Sequence, residues 1–198
     1  SYTSAIAQVI QLPGISGTDN NLLMLEFSKH NPENLKDIVD NFKLVRSVNF
    51  DVVILASSER SYGLKQSIHI WITSRDFKNA SLMILLAYII LGHRDWRKGY
   101  IKIFAVFQEE SAEEDSNRLF NLIETGQLPI SPNNVEIILW KEAADIRSLV
   151  NEKSIDADLS IIGFNDELLK GKGDEVFKGY DNIGNTVFVN AGEQVSIK

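Results

Sequence analysis

Ser67-Ile-His-Ile-Trp-Ile72, Ala80-Ser-Leu-Met-Ile-Leu-Leu-Ala-Tyr-Ile-Ile-Leu91 and Ile101-Lys-Ile-Phe-Ala-Val-Phe107 follow one another and decide the fold class of this chain. The first and third stretches are rich in β-branched and aromatic residues and read as strands. The second is twelve residues long and apolar except for one serine. A bilayer-spanning helix needs about 20 apolar residues, so this run has the length of a buried core helix. Its apolar residues occupy every side of a helical wheel, whereas a surface helix keeps one side polar. The expectation is a central helix covered nearly all round, inside a layered α/β domain or in an interface. An exposed charged turn, His93 to Lys98, leads into the third stretch.

Outward from this unit the same alternation continues. Toward the N-terminus, Val52 to Leu55 is a short apolar strand of the kind buried on both faces. Before it comes a helix with Asn31 as N-cap, Pro32 at its first position and a stripe of Leu35, Ile38, Val39, Phe42 and Val45. Asn21 to Phe27 is a strand, and Ser4 to Leu12 the end of a helix with Ile6, Val9 and Ile10 on one face, stopped by Pro13-Gly14. Ser57 to Gln66 has no periodicity and is expected to be a flexible polar loop.

Toward the C-terminus, Ser111 and Glu114 have the spacing of a capping box that opens a helix running to about Gly126. Val135 to Trp140 is a strand and Ala143 to about Glu152 a helix with Ile146, Leu149 and Val150 inward. Leu159 to Ile162 and Thr186 to Val189 complete the strands. Strands alternating with helices predict a mainly parallel, doubly wound sheet with helices on both faces. Residues 1–18 are expected to be a helix remnant and linker from a preceding half-domain, so that the chain begins inside a larger protein, and 19–198 the α/β domain.

Composition narrows the function classes. Of the 198 residues, 44% are apolar and 24% charged, as in an ordinary soluble globular protein. The net charge of −7 argues against a nucleic-acid partner. There is no cysteine, which removes disulfides, thiolate metal sites and cysteine nucleophiles. Ser1 to Leu12 has neither the basic start nor the apolar core of a signal peptide.

No pattern of residues points to catalysis. His30, His69 and His93 lack a partner at i+3 or i+4, and His69, between Ile68 and Ile70, reads as a packing or edge residue. Glu109, Glu110, Glu113, Glu114 and Asp115 follow a strand, where a magnesium site is conceivable, but they read as a solvated first helical turn offsetting the helix dipole. Gly171-Lys-Gly173 lacks the upstream glycine and the following Ser or Thr of a Walker loop. Eight residues separate it from Ile162, too many for a dinucleotide fingerprint, so it reads as a flexible surface loop. No serine sits in a nucleophile elbow. Trp71, Trp96 and Trp140 read as packing residues. The residues therefore assign no catalytic, cofactor-binding or metal position, and no cofactor.

One family resemblance covers nearly the whole chain. Ile68-His-Ile-Trp71, Asn79 to Tyr88, Trp96 and Ile101-Lys-Ile-Phe104 resemble the cytoplasmic C-terminal domain of the cation-chloride cotransporters, with order and spacing agreeing from Ala87-Tyr88 through Trp96 to Phe104. Asn21 to Phe27, Ala157-Asp-Leu159, Ile162-Gly163 and Asn185 to Val189 extend the match, and Ala87 before Tyr88 resembles prokaryotic members. Ile72 stands where the family has a second tryptophan, His69 where it has aspartate, and Ala80-Ser81 where it has paired glycines. The resemblance implies the second of two universal-stress-protein-like halves, without catalytic activity. It implies a regulatory and dimerising role on the cytoplasmic side of the membrane, with homodimerisation and docking beneath the protein's own transmembrane domain. That domain would move chloride with sodium and/or potassium. The alternative is a free-standing nucleotide-binding protein of the universal stress type. Such proteins bind ATP through G-x-x-G followed later by G-[ST]; here Asp166 occupies the second glycine position and Tyr180 follows Gly179.

Overall fold

In the computed structural model, residues 1–14, 18–126, 130–140 and 145–192 are described, the side chain of Asp76 apart. Seven strands among these residues form one sheet: β1 (Leu22–Ser28), β2 (Asp51–Ser57), β3 (Ser67–Thr73), β4 (Tyr100–Gln108), β5 (Val135–Trp140), β6 (Leu159–Gly163) and β7 (Thr186–Asn190). Their spatial order is β1-β2-β7-β6-β3-β4-β5. Every pairing is parallel except β2 with β7, where Ile54 faces Phe188 in an antiparallel register. The expected doubly wound, mainly parallel architecture is present, with β1 and β2 joined to it in reverse.

Among the described residues six α-helices cover the two faces: α1 (Tyr2–Val9), α2 (Leu35–Arg46), α3 (Phe77–Leu91), α4 (Ala112–Thr125), α5 (Ile146–Lys153) and α6 (Asp166–Lys172). Leu35, Ile38, Phe42 and Val45 of α2 enter one core with Val150 of α5, Leu169 of α6 and the Val52, Trp71, Phe104 and Phe188 side of the sheet. Burial of each such side chain contributes about 1.5–3 kcal/mol. Ala80, Met83, Ile84 and Ala87 of α3, with Leu119 and Ile123 of α4, form the second core on the opposite face. The alternation of side chains along each strand divides the sheet between the two cores.

α3 departs from the expectation of all-round cover. Its first half is buried from Phe77 to Ile84 except for Lys78, whereas Leu85 and Leu86 are half-buried and Ile89 is 61% exposed. Leu86, Ile90 and Leu91 lean on the core, while Leu85, Tyr88 and Ile89 share the side turned away from it. Two polar residues lock the buried half. Asn79 donates from Nδ2 to the Phe164 carbonyl at 2.9 Å and accepts from the Ala191 N–H at 2.8 Å, tying α3 to the ends of β6 and β7.

Other local expectations shift for identifiable reasons. α2 starts after Asn34 rather than Asn31, because the Leu35 N–H closes a turn onto the Pro32 carbonyl at 3.0 Å. Ser111 precedes α4 but makes no capping bond; its hydroxyl donates to Asp115 at 2.8 Å instead. Val9 of α1 is exposed, and only Ile6 of that helix is buried. α5 begins at Ile146 with Asp145 as N-cap; Ala143 lies outside the described residues. Gly171 belongs to α6 rather than to a loop, and Gly173, at φ +56, turns the chain into a 3-10 segment ending at Phe177. The stretch between β2 and β3 is tethered by Asp158, which accepts from the N–H groups of Leu64, Gln66 and Ser67.

Candidate functional site

From β3 the chain moves outward to β4 and β5, with α3 and α4 on one face, then returns through α5 to β6 and β7 with α6 on the other. This reversal leaves a crevice at the carboxyl ends of β3 and β6, the position where open α/β sheets take ligands. A cavity of about 710 Å³ occupies it, within the range of small-molecule sites. Trp71, Val106, Ile162 and Phe188 form its floor, one from each of four strands. Val150 of α5, Leu168 of α6, Val176 and Tyr180 form its walls, and Trp140 stands at the end of β5. A smaller recess of about 410 Å³, lined by Lys78, Asn79, Asn165 and Asn190 among others, adjoins it and shares Arg75 and Glu167.

The mouth carries the polar groups. Arg75 follows β3 and makes no hydrogen bond or ion pair among the described residues. Arg147 is partly committed: Nη2 donates to the Glu175 carbonyl at 2.7 Å, and its guanidinium lies 5.9 Å from the Tyr180 ring centre. Asp145 accepts from the Arg147 N–H and the Ser148 hydroxyl, which hold its carboxyl below the usual range. Lys172 and Glu167 complete the charged rim.

Around Gly163 some of the backbone donors are already occupied. The Phe164 N–H bonds the Val189 carbonyl at 3.0 Å, and the Leu168 N–H bonds Asn165 Oδ1 at 2.8 Å. Asp166 and Glu167 place two carboxylates in the first turn of α6. Asp166 is fixed there by Asn190 Nδ2 at 3.0 Å.

The residues weighed from sequence are not brought together. His30 is exposed near Glu59, and His93 lies exposed beside Asp95. His69 is buried, with Nδ1 3.0 Å from Ser154 Oγ, which also accepts from Trp71 Nε1 at 2.9 Å. Burial, followed by the charge of Lys102, pushes the His69 pKa down to about 4. Of the acidic cluster, Asp115 is buried and accepts from Ser74 and Ser111, while the four glutamates are exposed. No group of three potential ligands that could hold a metal occurs among the described residues. Among the tryptophans, Trp71 stacks on Phe104 at 4.5 Å, and Trp96 is buried against Tyr62. The crevice itself was missed from sequence. Its one legible signal was position, since Arg75 and Gln108 stand just after or at the ends of neighbouring parallel strands.

The site thus belongs to a doubly wound α/β domain with a switch-point crevice that is apolar inside and charged at its mouth. No protein-family model matches the chain, and no curated protein matches its sequence. Solved structures do match. The cytoplasmic domain of a prokaryotic cation chloride cotransporter superposes with a TM-score of 0.64 at 14% identity, over 98% of this chain and 71% of that one. A functionally unknown protein from Pseudomonas aeruginosa PAO1 has a TM-score of 0.52 at 19% identity, over 95% of this chain and 67% of that one. A candidate universal stress protein from Pseudomonas aeruginosa UCBPP-PA14 has a TM-score of 0.49 at 20% identity, over 85% and 62% respectively. At these identities the likeness is one of fold. No helix among the described residues is long and apolar enough to cross a membrane.

Proposed function

We propose that the chain is a non-catalytic regulatory and dimerisation domain of a membrane cotransporter that moves chloride with sodium and/or potassium. The observation that carries this reading is the convergence of sequence and fold on one kind of protein. Ile68 to Trp71 lie on β3, Asn79 to Tyr88 on α3 and Ile101 to Phe104 on β4, so the resembling motifs form one contiguous βαβ unit. That unit lies within a fold shared with a cotransporter's cytoplasmic domain over 98% of the chain. In this reading the domain sits on the cytoplasmic side, docks on its own transport domain and pairs about a two-fold axis, the commonest symmetry of soluble oligomers.

The test is chloride uptake into vesicles containing the complete gene product, with and without residues 1–198. Uptake that requires sodium or potassium, and that changes when the domain is deleted, is the expected result. A complete gene product without membrane-spanning segments or chloride flux would sink the proposal. The second reading, a free-standing universal-stress-type nucleotide-binding protein, draws support from the switch-point crevice. The carboxylates of Asp166 and Glu167 in the first turn of α6, with the Phe164 and Leu168 N–H groups already bonded, weigh against phosphate there.

A further inference from the structure

The crevice has two chemically different ends. Its interior lies between the sheet and helices α5 and α6, where Trp71, Val106, Val150 and Phe188 are nearly or fully buried. No charged side chain belongs to that floor. Charge is confined to the mouth, where Arg75, Arg147 and Lys172 face Asp145 and Glu167. Two of these are spent within the protein: Asp145 on the start of α5, and Arg147 on the Glu175 carbonyl and the Tyr180 ring. The groups left uncommitted are Arg75, Lys172 and Glu167, an excess of positive charge.

An unpaired guanidinium over an apolar slot is a recognition element for a carboxylate carried on an apolar body, since its fork matches the two carboxylate oxygens. A polyphosphate does not suit this arrangement. Its charge would lie along an apolar floor or against the carboxylates of Asp166 and Glu167, and the Phe164 and Leu168 N–H groups already have acceptors.

We infer that the crevice binds a small organic carboxylic acid with an aromatic or branched apolar body, buried between Trp71 and Phe188, its carboxylate paired with Arg75 at the mouth. The volume of about 710 Å³ accommodates a two-ring acid without displacing the core. Binding there would bridge β3, α5 and α6, adding to the contacts that Trp71, Val150 and Leu169 already make in the core. The inference rests on the crevice alone, and its outcome is separate from that of the chloride-uptake test.

Calorimetric titration with sodium 2-naphthoate, 2-naphthamide and magnesium-ATP tests it. The acid is expected to give a saturable one-to-one isotherm, and the neutral amide to bind at least about tenfold more weakly, as expected for loss of a charge-assisted pair. Arg75→Ala should bring the acid to within about twofold of the amide while leaving the thermal midpoint unchanged, because Arg75 is exposed and unpaired. Leu168→Trp, which fills the cavity from α6, should abolish binding of both. Absence of saturable naphthoate binding would overturn the inference. So would equal affinity for acid and amide, an acid preference that survives Arg75→Ala, or displacement of naphthoate by magnesium-ATP.

Discussion

The ammonium of Lys29, one residue beyond β1, lies 2.7 Å from the carbonyl oxygen of Gly184, 155 positions later in the chain. It also donates toward the carbonyls of Tyr180 and Ile183 and to Thr186 Oγ1, at 2.9, 3.2 and 2.9 Å. These acceptors belong to the approach to β7, the strand on which the reversed β1-β2 unit is paired. One side chain thus staples the two parts of the sheet. Lys29→Met keeps the stem and removes the ammonium donors from these partly buried acceptors. Denaturant melts are expected to show a loss of about 3 kcal/mol. A loss below about 0.5 kcal/mol would mean that water replaces the ammonium without consequence.

The same lysine makes stability depend on alkaline pH. Burial is the main cause that lowers its pKa from 10.5 to about 8, partly opposed by Asp181. Between those values the unfolded chain holds a proton on Lys29 that the folded chain has released. Stability therefore rises with pH across this window, by at most about 1.4 kcal/mol per pH unit for one proton. The difference in unfolding free energy between the protein and Lys29→Met should widen from pH 8 to 10.5. A constant difference would show that the folded-state pKa is not lowered.

At the acid end His69 acts with a definite sign. Its folded pKa is about 4 against an ordinary 6.5, through burial and then Lys102. As pH falls through 6.5 the unfolded chain gains this proton first, so stability contributed by the neutral, buried imidazole is lost progressively between pH 6.5 and 4. His69→Gln should flatten the pH dependence in that window, whatever its effect at pH 7. If the slope is the same in both proteins, the imidazole is not the group that titrates.

α3 shows where a sequence pattern stops being informative. Its apolar residues cover the whole wheel, yet Ile84 is fully buried while Ile89 is 61% exposed. Ile84→Ala should cost about 2–5 kcal/mol, whereas Ile89→Ala should stay within about 0.5 kcal/mol. Leu86→Ala should fall between them, because Leu86 rests on the core from a half-buried position. Equal losses at positions 84 and 89 would require a covering surface over the C-terminal half of the helix in solution.

The strands and the first five helices were legible by period, most fully in α2, where Leu35, Ile38 and Phe42 repeat at helical spacing and face the sheet; in α1 and α3 burial followed the pattern only in part. α6 was hidden by Gly171 and Gly173, although its Asn165 cap, acidic first turn and Lys170 and Lys172 near its end are helix signals. The capping role expected of Ser111 failed because Asp115, buried beside Ser74, competes for its hydroxyl. Partner choice of that kind depends on tertiary neighbours. The crevice was illegible for a related reason. Its lining comes from β3, β4, β6, β7, α5 and α6, and only the spatial order of the strands brings Arg75 to Lys172.

Magnesium-ATP should give no saturable isotherm with this protein. A phosphate at the end of β6 would need free backbone N–H groups and a positive local field. The Phe164 N–H is held by Val189, the Leu168 N–H by Asn165 and the Leu169 N–H by the Asn165 carbonyl at 3.1 Å. Asp166 and Glu167 add negative charge where the triphosphate would lie, and Asn190 fixes Asp166 in place. Arg75 and Lys172 at the mouth supply some attraction, so a weak, salt-sensitive association that fades at physiological ionic strength is compatible with the geometry. A low-micromolar, salt-resistant isotherm is not. That result, abolished by Arg75→Ala and retained in Asp166→Asn, would establish a nucleotide site and favour the stress-protein reading over the transporter one.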